Sequence, residues 1–302
     1  MATEAARAQE METLSHCLLC DSTRTQVVDV KYNLCRCEAC GYIFDNPRPT
    51  LQAITKFYSR PKKYDTWLVA EASREQLWKR RLKKLLKHAE HGNLLDVGTG
   101  TGQFLNLARP HFNRVFGTEI SQTAIEIAKD KYGLDVAQGQ IEDSNLPKNS
   151  FDTITLFHVL EHVPEPSKTI ARCLELLKAG GVLLICVPND VQAWTSKIKI
   201  LGKKLGLAPF QKFSPKLGVP LVFTSSEIHL SHFTSPVLKR FLEQRGLRVI
   251  AESLDPYYAT TGIKQMLQSV YYVLHRLLFG LSRSNRYDTI WMMARKDAEH
   301  ET

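Results

Sequence analysis

Apolar positions along this chain come in two rhythms. Segments at 93–97, 114–120, 135–138, 151–157, 182–187, 247–254 and 288–294 read as strands, and 182–187 is continuously apolar. Between several of them the apolar spacing lengthens to helical period, as in helices predicted from 121, over 167–178 and over 236–245. Gly180-Gly181 is expected to end the second of these, as glycine often does past a helix C-terminus. Strands alternating with helices predict an α/β domain on a largely parallel sheet. Upstream, 73–88 places Leu77, Trp78, Leu82, Leu85 and Leu86 on one helical face. Lys79, Arg80, Lys83, Lys84 and Lys87 fall elsewhere, as on a solvated surface.

The first of these strands runs into N-L-L-D-V-G-T-G-T-G-Q-F at 93–104. Glycines at 98, 100 and 102 let the backbone approach a ligand, and the helix that follows offers free N–H groups. A dinucleotide site would ask for G-x-G-x-x-G, and the last position of that pattern is Gln103. Asp96-x-Gly98-x-Gly100-x-Gly102 instead resembles the first motif of class I S-adenosylmethionine-dependent methyltransferases. The next strand delivers Glu119, followed by Ile120, where a doubly wound fold places an acid on ribose hydroxyls. A third segment, F-D-T-I-T-L-F-H-V-L-E-H-V-P-E-P at 151–166, resembles the fourth strand of the ubiquinone-biosynthesis O-methyltransferase-like branch.

The resemblance implies a Rossmann-like, seven-stranded doubly wound sheet with its last strand antiparallel. It implies S-adenosylmethionine as cofactor, held by Asp96, Gly98, Gly100, Gly102, Glu119, Ile120, Gln140, Ile141 and the backbone of His158. The family commonly has an acid where this chain has Gln140; the amide oxygen can still accept a hydrogen bond from the adenine amino group.

Cysteine usage changes the picture at the N-terminus. Five of the seven cysteines lie between 17 and 40, and Cys17-x-x-Cys20 and Cys37-x-x-Cys40 are separated by sixteen residues. Four thiolates at that spacing can close a tetrahedron around a structural zinc, with a hairpin between the two knuckles. Cys35 is the spare thiol. The organisation expected is a tail over 1–16, a zinc ribbon over 17–45, a joining segment and helix over 46–90, and a methyltransferase domain over 91–302. In related enzymes with such a ribbon, tyrosines in the joining segment, here Tyr58 and Tyr64, cover the cofactor. The acidic N-terminus does not read as a secretory signal, and reduced cysteines suit the cytoplasm.

Candidate chemistry gathers around His158, Glu161 and His162. Spaced i and i+4, the two imidazoles would share one face of a helical turn beside the carboxylate, suited to deprotonating a hydroxyl. Related enzymes with Glu-x-x-Glu-His at this place bind a divalent ion; His158 stands where the first Glu would be. His229 and His232, in H-L-S-H-F, are expected from the opposite wall, completing a base or a metal site.

Charge then bears on partners. The net charge is +9, and no Asp or Glu occurs over 191–226 or 256–287, which combine Lys or Arg with large apolar residues. Both stretches, forming insertions at about 190–226 and 256–287, are expected to lie over the substrate cleft. They suit a small-molecule, saccharide or lipid-linked acceptor, a peripheral membrane contact, or a homo-oligomer interface. Nucleic acid is disfavoured, because the basic helix lacks interleaved aromatics. The competing reading is a cofactor-binding adaptor without catalysis, or a nucleic-acid-directed methyltransferase using the ribbon and basic lids.

Overall fold

A computed structural model of the chain describes residues 10–29, 33–59, 68, 71–207, 227–255 and 262–297. Tyr64 and much of the first insertion, 208–226, lie outside the described residues. Seven strands form the main sheet: β6 (Asn93–Val97), β7 (Arg114–Glu119), β8 (Val136–Gln138), β9 (Phe151–Phe157), β10 (Leu177–Pro188), β12 (Leu247–Ser253) and β13 (Thr289–Lys296). Their order is β12-β13-β10-β9-β6-β7-β8. Only β13 runs antiparallel to its neighbours, as expected of the last strand. Strand order reverses between β6 and β9, and such sheets bind ligands at the carboxyl ends flanking that point.

Several of the helices start or stop for a local reason. In α4 (Gln122–Tyr132), the Ser121 hydroxyl accepts the amide of Ala124, and Gly133 closes the helix at φ 60°. In α1 (Leu51–Tyr58), Thr50 caps the N-terminus in the same way. The helix α2 (Glu71–Leu85) buries Leu77, Leu82 and Leu85 as its periodicity predicts, but also Arg81. Lys84 departs from the expected solvated face: its ammonium donates to the Leu254 carbonyl at 2.6 Å and lies 4.1 Å over the Trp291 ring. The remaining helices are α3 (Gln103–Ala108), α5 (Pro166–Leu176), α6 (Trp194–Lys204), α7 (Ser235–Glu243) and α8 (Gly262–Ser282). Gly180 and Gly181 do not cap α5; the backbone turns extended at Leu177 and both glycines lie inside β10.

The cysteine-rich segment forms β2 (Thr25–Asp29), β3 (Leu34–Cys37) and β4 (Ile43–Asp45), the first two being the anticipated hairpin. A fourth strand, β11 (Ser231–His232), comes from far along the chain and pairs with β4. Buried Leu18, Leu19, Tyr42 and Phe44 share one hydrophobic cluster with Leu183, Leu238 and Phe241. The ribbon thus shares the main core. Part of the expected tail is ordered too, since β1 (Met11–Glu12) pairs with β5 (Arg48–Pro49) and Glu12 accepts from Arg48 at 2.7 Å.

Candidate active site

A cavity of about 650 Å³ opens at the carboxyl ends of β6, β7 and β9. Its first half is built by the glycine turn. Gly98, Gly100 and Gly102 all hold positive φ. At Gly98 a Cβ would lie 2.6 Å from Val159 Cγ2, and at Gly102 it would lie 2.6 Å from Leu134 and 2.9 Å from Ala128. Gly98 and Gly100 line the cavity as a backbone cradle, whereas Gly102, expected among the cofactor contacts, packs against Leu134 and Ala128 and lets the chain turn into α3.

Two carboxylates flank that cradle. Glu119 accepts three backbone amides: Gly100 at 2.8 Å, Ile120 at 2.9 Å and Ser121 at 3.0 Å. Burial pushes its pKa up while those amides pull it down. Asp96 accepts the Thr155 hydroxyl at 2.6 Å, and burial pushes it up to about 7. Gln140 and Ile141 line the same half, next to Glu142, which accepts the Thr169 hydroxyl.

The second half is made of groups that hold one another. The segment after β9 is a turn rather than the expected helix, because His158 takes a left-handed backbone at φ 56°. Even so, both imidazoles flank Glu161. His158 Nδ1 lies 3.2 Å and His162 Nε2 3.7 Å from Glu161 Oε1, while Oε2 is buried with no hydrogen-bond partner among the described residues. Arg81 Nη2 is 2.8 Å from His158 Nε2, and its guanidinium also grips Asp255. With both nitrogens engaged, His158 is held as a wall of the cavity.

His162 is differently placed. Its Nδ1 meets the Ile228 carbonyl and lies 3.1 Å from the Tyr58 hydroxyl, which fixes the ring. Burial pushes its pKa below the ordinary histidine value; protonated His229 adds to this and Glu161 opposes it. The two histidine rings are 4.9 Å apart. Burial would also depress His229, but Asp190 at 3.2 Å and Glu227 at 3.6 Å override it and push the pKa up to about 9. At neutral pH the pair is therefore a neutral His162 beside a charged His229.

The sequence reading is corrected at His232. It lies in β11, 2% exposed, with Nε2 2.9 Å from Asp45, and takes no part in the cavity. Separated by three residues along an extended segment, His229 and His232 fall on opposite faces. The spacing alone had been read as one wall.

The four ribbon thiols converge as expected. The sulfur atoms of Cys17, Cys20, Cys37 and Cys40 all lie within 4.8 Å of one another, while Cys35 Sγ is 3.9 Å from the Asn46 carbonyl. A second group of ligand atoms within the same distance joins Glu161, His162 and His229.

Residues 70–252, more than half of the chain, match a family described as "Methyltransferase domain". This chain belongs to that methyltransferase family. It is 26% identical over 180 residues to a "Probable S-adenosylmethionine-dependent methyltransferase" of Mycolicibacterium smegmatis, covering 58% of this chain and 61% of that one. Over 102 residues it is 32% identical to the ubiquinone biosynthesis O-methyltransferase of Coxiella burnetii, covering 32% of this chain and 44% of the other. It therefore spans about three fifths or less of these relatives' length. In fold it is similar to a methyltransferase from Listeria monocytogenes (TM-score 0.52, 16% identity, 75% of this chain and 99% of that one). It is also similar to one from Thermotoga maritima titled "possible histamine N-methyltransferase" (TM-score 0.51, 17% identity, 81% and 100%). The architecture is the Rossmann-like methyltransferase fold, and the family's cofactor is S-adenosylmethionine.

Arg81, Asp255, Asp190 and Glu227 were not anticipated. A signal existed for Arg81: it falls on the apolar stripe of Leu77, Trp78, Leu82 and Leu85, where an unpaired guanidinium could not stay buried. Its partner, 174 residues away, left none.

Proposed function

We propose that this methyltransferase moves the cofactor's methyl group to a hydroxyl of a small-molecule, saccharide or lipid-linked acceptor, with His162 as the base. The observation that carries the reading is a neutral imidazole, 17% exposed, in the same cavity as the glycine cradle. Its Nδ1 is anchored on the Ile228 carbonyl, which leaves Nε2 to accept a proton. The cradle and the carboxylates of Asp96 and Glu119 fit a cofactor that carries hydroxyls and an ammonium but no phosphate. When bound, that cofactor supplies an electrophilic methyl on a sulfonium. The acceptor's O–H proton would pass to His162 Nε2 as its oxygen took the methyl, the sulfonium being left as a neutral sulfide. Glu161, whose Oε1 lies 3.7 Å from that same nitrogen, stabilises the imidazolium that results. The local likeness to the ubiquinone O-methyltransferase supports oxygen as the nucleophile.

The experiment is single-turnover transfer of label from methyl-labelled cofactor to acceptors in a cell extract. Transfer by the parent and its loss in His162→Ala, with cofactor binding intact, is the expected outcome. Equal transfer by both proteins contradicts base catalysis, and none by a cofactor-bound parent favours the adaptor.

One observation favours a second reading of the same cluster. Glu161 Oε2 is buried without a hydrogen-bond partner among the described residues, and Glu161, His162 and His229 bring ligand atoms within 4.8 Å of one another. A divalent ion held there would ionise the hydroxyl directly, provided His229 gives up its proton. Activity abolished by chelation and restored by a divalent cation selects this reading.

We further infer a structural zinc in the ribbon. Zn–S bonds of about 2.3 Å place tetrahedral sulfurs about 3.8 Å apart. The Cys17–Cys40 and Cys20–Cys37 sulfurs are each 3.6 Å apart, close to that edge. Four protein ligands leave no open position, so the ion would stabilise without reacting. Purified protein should carry one equivalent of zinc, lost in Cys37→Ser and retained in His162→Ala; the reverse pattern would move the metal to the active site.

A further inference from the structure

Two helices at the cavity mouth present their apolar sides to solvent. On α8, Ile263, Met266, Leu267, Val270, Val273, Leu274, Leu277 and Leu281 are all more than half exposed and recur every three or four residues as a single stripe. The opposite side of α8 is anchored: His275 and Phe279 are buried, and Phe279 packs with Leu254 and Tyr287. On α6, Ile198 and Leu201 are exposed in the same way, and Trp194 meets His275 with ring centres 5.7 Å apart. An exposed face of this length on helices whose other side is packed marks an interaction surface.

Charge selects the occupant. Every charged residue of the two helices is a cation: Lys197, Lys199, Lys203 and Lys204 on α6, and Lys264 and Arg276 on α8, with Arg283 just beyond. A second copy of the chain would bring cation against cation along the seam. An anionic lipid surface complements both the apolar stripe and its basic flanks. Thr195, Ser196 and Lys199 of α6 and Gln268 of α8 also line the cavity, so both exposed helices border it.

We propose that α6 and α8 dock this methyltransferase on an anionic bilayer, with the mouth of the cavity turned toward the lipid. No helix among the described residues is long and apolar enough to cross a membrane, so the attachment is interfacial. The docking rests on this surface alone; delivery of the acceptor from the lipid rests on the proposed methyl transfer.

The test is flotation with vesicles of equimolar phosphatidylglycerol and phosphatidylcholine, set against phosphatidylcholine alone, using protein shown by calorimetry to bind cofactor. The parent is expected to float with the anionic vesicles at low salt and to detach as salt rises. Replacing Lys197, Lys204 and Lys264 with Glu should weaken flotation by more than about tenfold. Leu267→Gln, Leu274→Gln and Leu277→Gln together should abolish it, and cofactor affinity should be unchanged in both variants. A cofactor-binding parent that stays unbound at low salt overturns the proposal. So does a parent dimer, seen by light scattering, that the leucine substitutions dissociate, because the stripe then serves a second copy. A parent that floats but fails to bind S-adenosylmethionine in the titration would leave the docking standing and remove the methyl-transfer reading instead.

Discussion

The two halves of the cavity solve opposite problems with the same residue types. In the half built by the glycine turn, Glu119 is fixed by one amide of that turn and two that follow β7, which leaves one acceptor position on its Oε2. In the other half, Glu161 has two histidines on one oxygen and, among the described residues, no hydrogen-bond partner on the other, and the histidines are held by Arg81, Asp255, Tyr58 and Ile228 from four distant segments. A carboxylate tied to backbone is a fixed acceptor. One tied to titrating side chains can follow a proton, which is what deprotonating an acceptor requires.

That contrast is sharpest in the rate. Removing a general base costs about 10²–10⁴-fold, so single-turnover transfer by His162→Ala should fall in that range. His232→Gln, which alters the ribbon–β11 contact outside the cavity, should leave the transfer step unchanged in protein that stays folded. A comparable loss in both variants would erase the distinction between the two histidines.

Stability probes the supports behind the acceptor side. Arg81 and Asp255 are almost wholly buried, and Arg81 holds Asp255 well below the usual carboxylate range although burial works the other way. Arg81→Met leaves that buried carboxylate with His158 Nε2 at 3.7 Å in place of a guanidinium, a defect costing about 3–5 kcal/mol in denaturant unfolding. A cost under about 1 kcal/mol would mean that the pair is screened by solvent.

The pH profile should separate the two neighbours. His162 has a depressed pKa, so the acid limb of the transfer rate should fall below about 6.5, the ordinary histidine value. His229 is raised in the folded state to about 9. Its contribution to stability is therefore complete below about 6.5 and fades as pH rises through about 9. Chemical denaturation across that range checks the second limb. Stability that does not decline there, or that declines equally in His229→Gln, would remove the Asp190–His229–Glu227 arrangement as its source.

Legibility in the sequence followed distance along the chain. The glycine turn, Glu119 and the paired cysteines were readable because each acts over a few residues, where spacing dictates geometry. The central strands β9 and β10 were readable because buried parallel strands are largely apolar, and the outer ones from their place between helical segments. Their antiparallel last member came from the family resemblance. What escaped depends on closure in space: Arg81 with Asp255, Tyr58 on His162, and β11 completing the ribbon sheet across 187 residues between Asp45 and His232. The left-handed backbone at His158 escaped as well, since i and i+4 spacing suggests a helix whether or not one forms. His232 was misread for a related reason: neighbours in sequence share a wall only if the intervening backbone turns.

The central claim is that cofactor binding belongs to the first half of the cavity and proton transfer to the second. Calorimetric titration of S-adenosylmethionine into the parent, Glu119→Ala and His162→Ala tests it most directly. Hydrogen bonds to a charged acceptor contribute about 1.5–3 kcal/mol, so Glu119→Ala should bind roughly ten- to a hundredfold more weakly. His162→Ala should bind as the parent does. Weakening of equal size in both variants, or unchanged affinity in Glu119→Ala, would contradict the division.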